Sequence, residues 1–244
     1  MTPEPTRGRA APILVAHGTR SLAGVDTIGR IAALVGQRIG QTRVAFVDVL
    51  GPSPSELLAE TDDAALVIPV FLAAGYHVRR DIPAHVEASG HRDVTMCDNL
   101  GPDPVLAEVM RDRLWTAGWR PGDSVVMAAA GSSDPLALGE VEKAAAYLSD
   151  LIGDDVPVGY IATATPRVPE VVAEVRKRRR RVFIASYLLA PGLFHSRLAE
   201  YGADGVGEPL GADPRIADLV VDRVRAAVDG SATSHARPGN VRTM

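Results

Sequence analysis

Short apolar runs alternate with longer amphipathic stretches along the chain. Pro12–Ala16, Arg43–Leu50, Ala64–Phe71, Val94–Cys97 and Val182–Leu189 are nearly continuous in apolar residues. That pattern suits strands of a parallel sheet covered on both faces. Between them, Ile28, Ile31, Ala32, Val35 and Ile39 recur at helical spacing, as do Val105, Val109, Met110 and Leu114. Ser53-Pro54-Ser55-Glu56 combines an N-cap serine, a proline in the first turn and a glutamate three residues on, which predicts a capping box. Asp103-Pro104, Asp134-Pro135, Thr165-Pro166 and Asp213-Pro214 predict further helix starts. Strand–helix alternation with short connections implies βαβ units, hence an α/β fold with parallel sheets and right-handed crossovers.

The second half repeats the first. Ile13–Thr19 resembles Met127–Ser132, with Ala130 where His17 stands. Pro52–Glu56 resembles Pro166–Glu170, Phe71–His77 resembles Tyr187–His195 with inserted residues, and Leu100–Pro104 resembles Leu210–Pro214. Four matches in the same order predict two similar α/β domains, residues 12–120 and 121–230, joined near Trp119–Asp123. Residues 1–11 and the aperiodic tail 231–244 read as flexible ends.

Composition narrows the function classes. Aromatics are only 5%, so the core is built from Ala, Val, Leu and Ile. A net charge of −4 argues against a nucleic-acid partner. Cys97 is the single cysteine, which excludes an intramolecular disulfide and a Cys-ligated cluster within the chain; it reads as a buried thiol on a strand. The sequence has no apolar run long enough for a membrane span, and Met1–Ala11 lacks the apolar core of a signal peptide, so a cytoplasmic location is expected.

Ligands of open parallel sheets bind beyond the carboxyl ends of the strands. His17 directly follows the first predicted strand, Asp48 lies near the end of the second, and His77 follows the third after a short linker. If those strands are neighbours, two imidazoles and a carboxylate share one rim, a set suited to Fe, Co, Ni or Zn. Arg20, Arg79 and Arg80 flank the histidines and are candidate clamps for a ligand's carboxylates. Rival chemistries lack their signatures. Histidine phosphatases carry Arg before His-Gly, where this chain has Ala16, and there is no Walker loop, no G-x-G-x-x-G after a strand and no G-x-S-x-G elbow. The run Arg176–Arg181 reads as a helix-end cation cluster, His85 and His91 as exposed, and His235 as a tail residue far from any second ligand; none of these three histidines is assigned a role.

The segments Ala16-His17-Gly-Thr-Arg20, Phe46-Val-Asp48 and above all Pro69-Val-Phe-Leu-Ala-Ala-Gly-Tyr-His77-Val-Arg-Arg-Asp81-Ile-Pro83 resemble the sirohydrochlorin chelatases, which work without ATP. The resemblance spans roughly residues 12–229. It implies a pair of flavodoxin-like domains with the tetrapyrrole in the cleft between them. His17 and His77 match the family's metal-handling histidines, and Asp48 stands where the family often has Glu. Ala130, and the offset of His195, imply one competent site, on the first domain. The implied reaction is insertion of a divalent metal into sirohydrochlorin, Fe2+ for sirohaem first and Co2+ for a cobalamin precursor second. A metal or tetrapyrrole carrier without turnover, or an inactive paralogue, is the alternative. The metal would be substrate, with no permanently bound cofactor, and the internal repeat is compatible with a monomer. Ligation needs neutral imidazole, which titrates near pH 6.5 in water, so activity should fall below that pH.

Overall fold

The computed structural model describes residues 10–177 and 181–235. The strands are β1 (Ala11–Ala16), β2 (Arg43–Phe46), β3 (Ala65–Pro69), β4 (Val94–Met96), β5 (Ser124–Ala129), β6 (Val158–Tyr160), β7 (Val182–Tyr187) and β8 (Gly205–Val206). The helices are α1 (Leu22–Ile39), α2 (Pro54–Ala59), α3 (Ile82–Ser89), α4 (Pro104–Thr116), α5 (Pro135–Ile152), α6 (Val168–Arg176), α7 (Leu193–Leu198) and α8 (Pro214–His235). Two parallel sheets form, ordered β2-β1-β3-β4 and β6-β5-β7-β8. The order repeats, as the sequence repeat requires, and follows the flavodoxin-like pattern.

Local chemistry explains the element starts. Ser53 and Glu56 form the capping box of α2, while Asp103, Asp134 and Asp213 accept from the first-turn amides of α4, α5 and α8. The helix expected after Thr165-Pro166 starts later, at Val168. Glu170 accepts from the Arg167 N–H at 2.9 Å, so the acid three residues on, rather than the proline, sets its first turn. The second strand is also shorter than Arg43–Leu50. It stops at Phe46 because the chain turns at Val49, whose φ is +67°, with the Leu50 N–H closing onto Asp48 O. Helix α8 continues past Gly230, where the tail was expected to begin, to His235.

Three apolar cores hold these layers. Ile13, Val15 and Val67 pack outward against Leu57, Leu58 and Ile82 of α2 and α3. Val126 and Ile184 pack against Val168 and Val172 of α6 and Leu198 of α7. The largest core lies between the sheets, where Leu14, Ile68, Met127 and Phe183 meet Ile31, Met110, Leu148 and Val220 of α1, α4, α5 and α8. Helix α1 packs on α8 and α4 on α5.

The last helix of each repeat crosses to the other sheet. Helix α4 lies on β7, and α8 lies on β3 and β4. Arg223 of α8 donates to Asn99 O and Leu100 O and pairs with Asp103, while Arg113 of α4 donates to Leu210 O and pairs with Asp213. The sequence break near residue 120 therefore separates the repeats but not the packed units. A helix's own pattern shows that it has an apolar face, not which sheet that face meets.

Cys97 is buried just past β4, and its surroundings push its thiol up to about 11, leaving an inert apolar filler. Arg176 pairs with Asp204, and Arg181 with Asp123. Arg176 thus ties the end of α6 to the turn before β8, and Arg181 ties the start of β7 to the residue before β5; residues 178–180 lie outside the described residues. No described helix is long and apolar enough to cross a membrane.

Candidate active site

β1 ends at Ala16 and delivers His17 to the carboxyl edge of its sheet. The next residue makes a turn that only glycine fits. Gly18 has φ +99°, and a Cβ there would lie 2.0 Å from Asp48 O. The same turn brings the Asp48 N–H to His17 O at 3.0 Å. Gly131 repeats this geometry in the second unit, with φ +97°, a Cβ position 2.1 Å from Ala162 O, and the Ala162 N–H on Ala130 O. The scaffold that holds His17 is thus present twice, and its second copy carries Ala130.

His77 comes from β3 through Phe71–Tyr76 and opens a π-helical turn, His77–Asp81, that runs into α3. Such turns recur at functional sites. This one places the Asp81 carboxylate 2.5 Å from His77 Nδ1. The His17 and His77 ring centroids stand 4.5 Å apart at 82°. His17 is exposed and His77 half-buried. His17 Nδ1 lies 3.2 Å from Gly18 O. Each ring is thus held through Nδ1, leaving Nε2 for a ligand.

The sequence-derived rim is only partly assembled. Strand order makes β1, β2 and β3 neighbours, and the two histidines do meet. Asp48 stays in the adjoining turn, exposed, with Oδ1 accepting from the Val49 N–H at 2.7 Å. Among the described residues no group of three His, Cys, Asp or Glu is arranged to hold a metal ion. Arg20, Arg79 and Arg80 are exposed. Arg79 donates to Ala74 O and pairs with Asp134 and Glu140 of the second unit. His85 and His91, expected on the surface, are half-buried; His85 Nδ1 lies 3.1 Å from Ser55 Oγ and His91 Nε2 3.0 Å from Asp63 O. Those polar neighbours come from distant segments and explain the difference. The side chain of His235 lies outside the described residues.

A cleft of about 700 Å³ opens between the two sheets, with His17 and His77 on one side and Leu193, Phe194 and His195 on the other. Among the described residues, its lining contains no Asp, Glu, Lys or Arg. Tyr187 contributes a hydroxyl, donated to Leu72 O at 2.8 Å and pushed far up by burial, so it stays protonated. A largely apolar slot with imidazoles on its walls suits a flat apolar ring system better than a small anion. Sequence reasoning overlooked Asp81, although the His-x-x-x-Asp spacing on a helix was a usable signal. It assigned nothing to Glu140 or Tyr187, which carry no local motif.

Comparison with known proteins agrees with this geometry. The curated sirohydrochlorin cobaltochelatase of Methanothermobacter thermautotrophicus is 32% identical over 130 residues, covering 43% of this chain and 90% of that protein. The one from Methanopyrus kandleri is 31% identical over 135 residues, covering 43% and 94%. Among solved structures, SirB from Bacillus subtilis with Fe3+ superposes with a TM-score of 0.78 at 21% identity, covering 92% of this chain and 98% of that one. CbiX, described as the terminal enzyme for biosynthesis of siroheme in denitrifying bacteria, superposes at 0.67 and 21% identity, covering 89% and 99%. These structures share the fold. A sequence profile of the CbiX family matches residues 11–117 and again 124–227, and by that match over nearly the whole chain the protein belongs to the CbiX family.

Proposed function

We propose that this chain inserts a divalent metal into sirohydrochlorin, with His17 and His77 handling the metal at one wall of the inter-sheet cleft. The observation that carries the reading is the facing pair of imidazoles, 4.5 Å apart, at the edge of a largely apolar slot. Two imidazoles on one ion at metal–nitrogen distances of about 2.0–2.1 Å place their ring centres roughly 5 Å apart. A small side-chain adjustment reaches that spacing. Two protein ligands hold a metal loosely, which suits a cargo that must leave.

Insertion exchanges two pyrrole N–H protons for M2+, so two protons need acceptors. A neutral imidazole nitrogen can serve as ligand first and proton acceptor afterwards. Asp81 on Nδ1 orients the His77 ring and favours the tautomer that leaves Nε2 free for the ion. The apolar walls receive the macrocycle faces, while its carboxylates stay at the mouth. Arg20 and Arg80, both exposed, are the proposed clamps for them, since Arg79 is already held by Asp134 and Glu140. Asp48 adds negative charge beside His17. Fe2+ and Co2+ both accept imidazole, and Fe2+ remains the first choice. The curated relatives named above are cobaltochelatases, so Co2+ is the second metal to test.

Anaerobic insertion assays with purified sirohydrochlorin and each metal test the reading. His17→Ala and His77→Ala should each lower turnover at least tenfold with the fold intact, and His195→Ala should matter less. Wild-type turnover in a folded His77→Ala variant would remove it from the mechanism. Stoichiometric binding of metal and tetrapyrrole without product would favour a carrier.

A further inference from the structure

The segment Phe71–Tyr76, which presents His77, is gripped from the second unit. Tyr187, at the end of β7, donates its hydroxyl to Leu72 O at 2.8 Å. Glu140, on α5, accepts from the Ala74 N–H at 2.6 Å. The Ala74 carbonyl accepts from Arg79 Nε at 2.7 Å, and the Arg79 guanidinium lies 3.4 Å from Glu140 and 3.4 Å from Asp134, the N-cap of α5. The peptide groups of Ala74 are therefore tied at both N–H and C=O, three residues before His77. The fit is close on both sides. A Cβ on Gly101 would lie 2.3 Å from the Tyr187 hydroxyl and 2.2 Å from Leu72 O.

The grip runs one way. Helices α1 and α5 have the same length and start at equivalent turns, so Glu140 corresponds to Thr27; the strand registers, Ala129 opposite Tyr187 and Val15 opposite Pro69, match Tyr187 with Val70. Thr27 spends its hydroxyl on Ala23 O of its own helix, and Val70 has no hydroxyl. The first unit cannot return these bonds. The repeat that carries Ala130 in place of the metal-site histidine is the one that supplies the grip.

We propose that Glu140 and Tyr187 are positioning residues, through which the second unit fixes the Phe71–Tyr76 segment so that His77 faces His17. The proposal rests on the reading that His77 takes the metal. Neither residue needs to touch metal or bear a proton; both act through Leu72, Ala74 and Arg79. Each buried bond of this kind stabilises its donor or acceptor modestly, but losing it leaves the segment free to move. Misplacement by about 1 Å can cost a reacting geometry 100-fold in rate.

The test uses the full chain with Glu140→Ala, Tyr187→Phe, their double variant, the conservative Glu140→Gln, and His77→Ala. Three readouts are taken: amide hydrogen exchange at Ala74 without metal, Co2+ affinity from its visible absorption, and kcat and KM for Co2+ insertion into sirohydrochlorin. In the double variant we expect Ala74 exchange to quicken at least tenfold, Co2+ affinity and kcat to fall about tenfold, and KM for sirohydrochlorin to change less than twofold. Glu140→Gln keeps an acceptor for Ala74 and should restore most of the loss. Faster exchange with unchanged Co2+ affinity and kcat would overturn the positioning role. Unchanged exchange would overturn the grip itself. Wild-type Co2+ affinity in His77→Ala would instead sink the metal-site reading beneath it, a result separable from the other two.

Discussion

The duplicated glycine turn offers a perturbation with its own control. Gly18→Ala puts a methyl group 2.0 Å from Asp48 O at φ +99°, and Gly131→Ala puts one 2.1 Å from Ala162 O at φ +97°. An L residue held in left-handed backbone costs about 1–2 kcal/mol. Relieving the contact must also move the neighbouring carbonyl and strain the backbone bond from Asp48 or Ala162, about 0.5–1.5 kcal/mol more. Each variant should thus lose about 1.5–3.5 kcal/mol. For a chain of this length that lowers Tm by roughly 3–14 °C. The two thermal losses should match because the two turns match. Turnover should not match, since the first turn aims His17 and the second carries Ala130. Circular-dichroism melts beside initial rates of anaerobic Co2+ insertion, taken well below both melting points, decide this. Equal loss of turnover in the two folded variants would refute the one-site reading, and a wild-type Tm for Gly18→Ala would refute the geometry.

Other expectations follow from single contacts. Asp81→Asn removes the charge on His77 Nδ1 while keeping the shape, and should weaken Co2+ binding about 10- to 100-fold in an absorption titration. Replacing Arg20 and Arg80 together with Gln should weaken sirohydrochlorin binding about tenfold or more at low salt, with a smaller effect in 1 M salt; equal fluorescence titrations would leave both as plain surface charges. Asp213 is held below the usual carboxylate range by its hydrogen bonds with the Arg215 side chain, against opposing desolvation. A lowered folded-state value means stability that is present above the unfolded value near 3.9 and lost as pH falls through the folded one. Melting curves from pH 5 downward should show that loss in the wild type, and a shallower one in Asp213→Asn.

Much of the fold was legible because it rests on short-range physics. The apolar runs around Ile13, Val67 and Ile184 had no polar alternation, so burial on both faces could be read directly. The caps Ser53, Asp103, Asp134 and Asp213 act within three residues of themselves. The repeat then implied the second sheet from the first. His17 and His77 were legible because strand ends in a parallel sheet share an edge. Other features lay beyond that range. The turn at Val49 leaves Asp48 bonded to its own loop, and no periodicity encodes a single left-handed residue. Arg79 reads as a surface cation until α5, more than 50 residues later, places Asp134 and Glu140 beside it. The role of Tyr187 exists only across the interface.

The exchange of α4 and α8 also constrains the order in which the chain can mature. Sheet β2-β1-β3-β4 is synthesised in full by Met96, yet the helix that covers β3 and β4 begins at Pro214. At roughly 5–20 residues per second, translation takes on the order of 6–25 s to make the intervening stretch. For that interval the apolar side chains of the first sheet that face α8, Leu66 and Ile68 among the residues of β3, lack their native cover. Most multidomain chains can finish an amino-terminal unit while the rest is still being made. Here the histidine-bearing half must wait for the final helix, and a message truncated before codon 214 would yield the metal-site residues without the layer that closes their sheet.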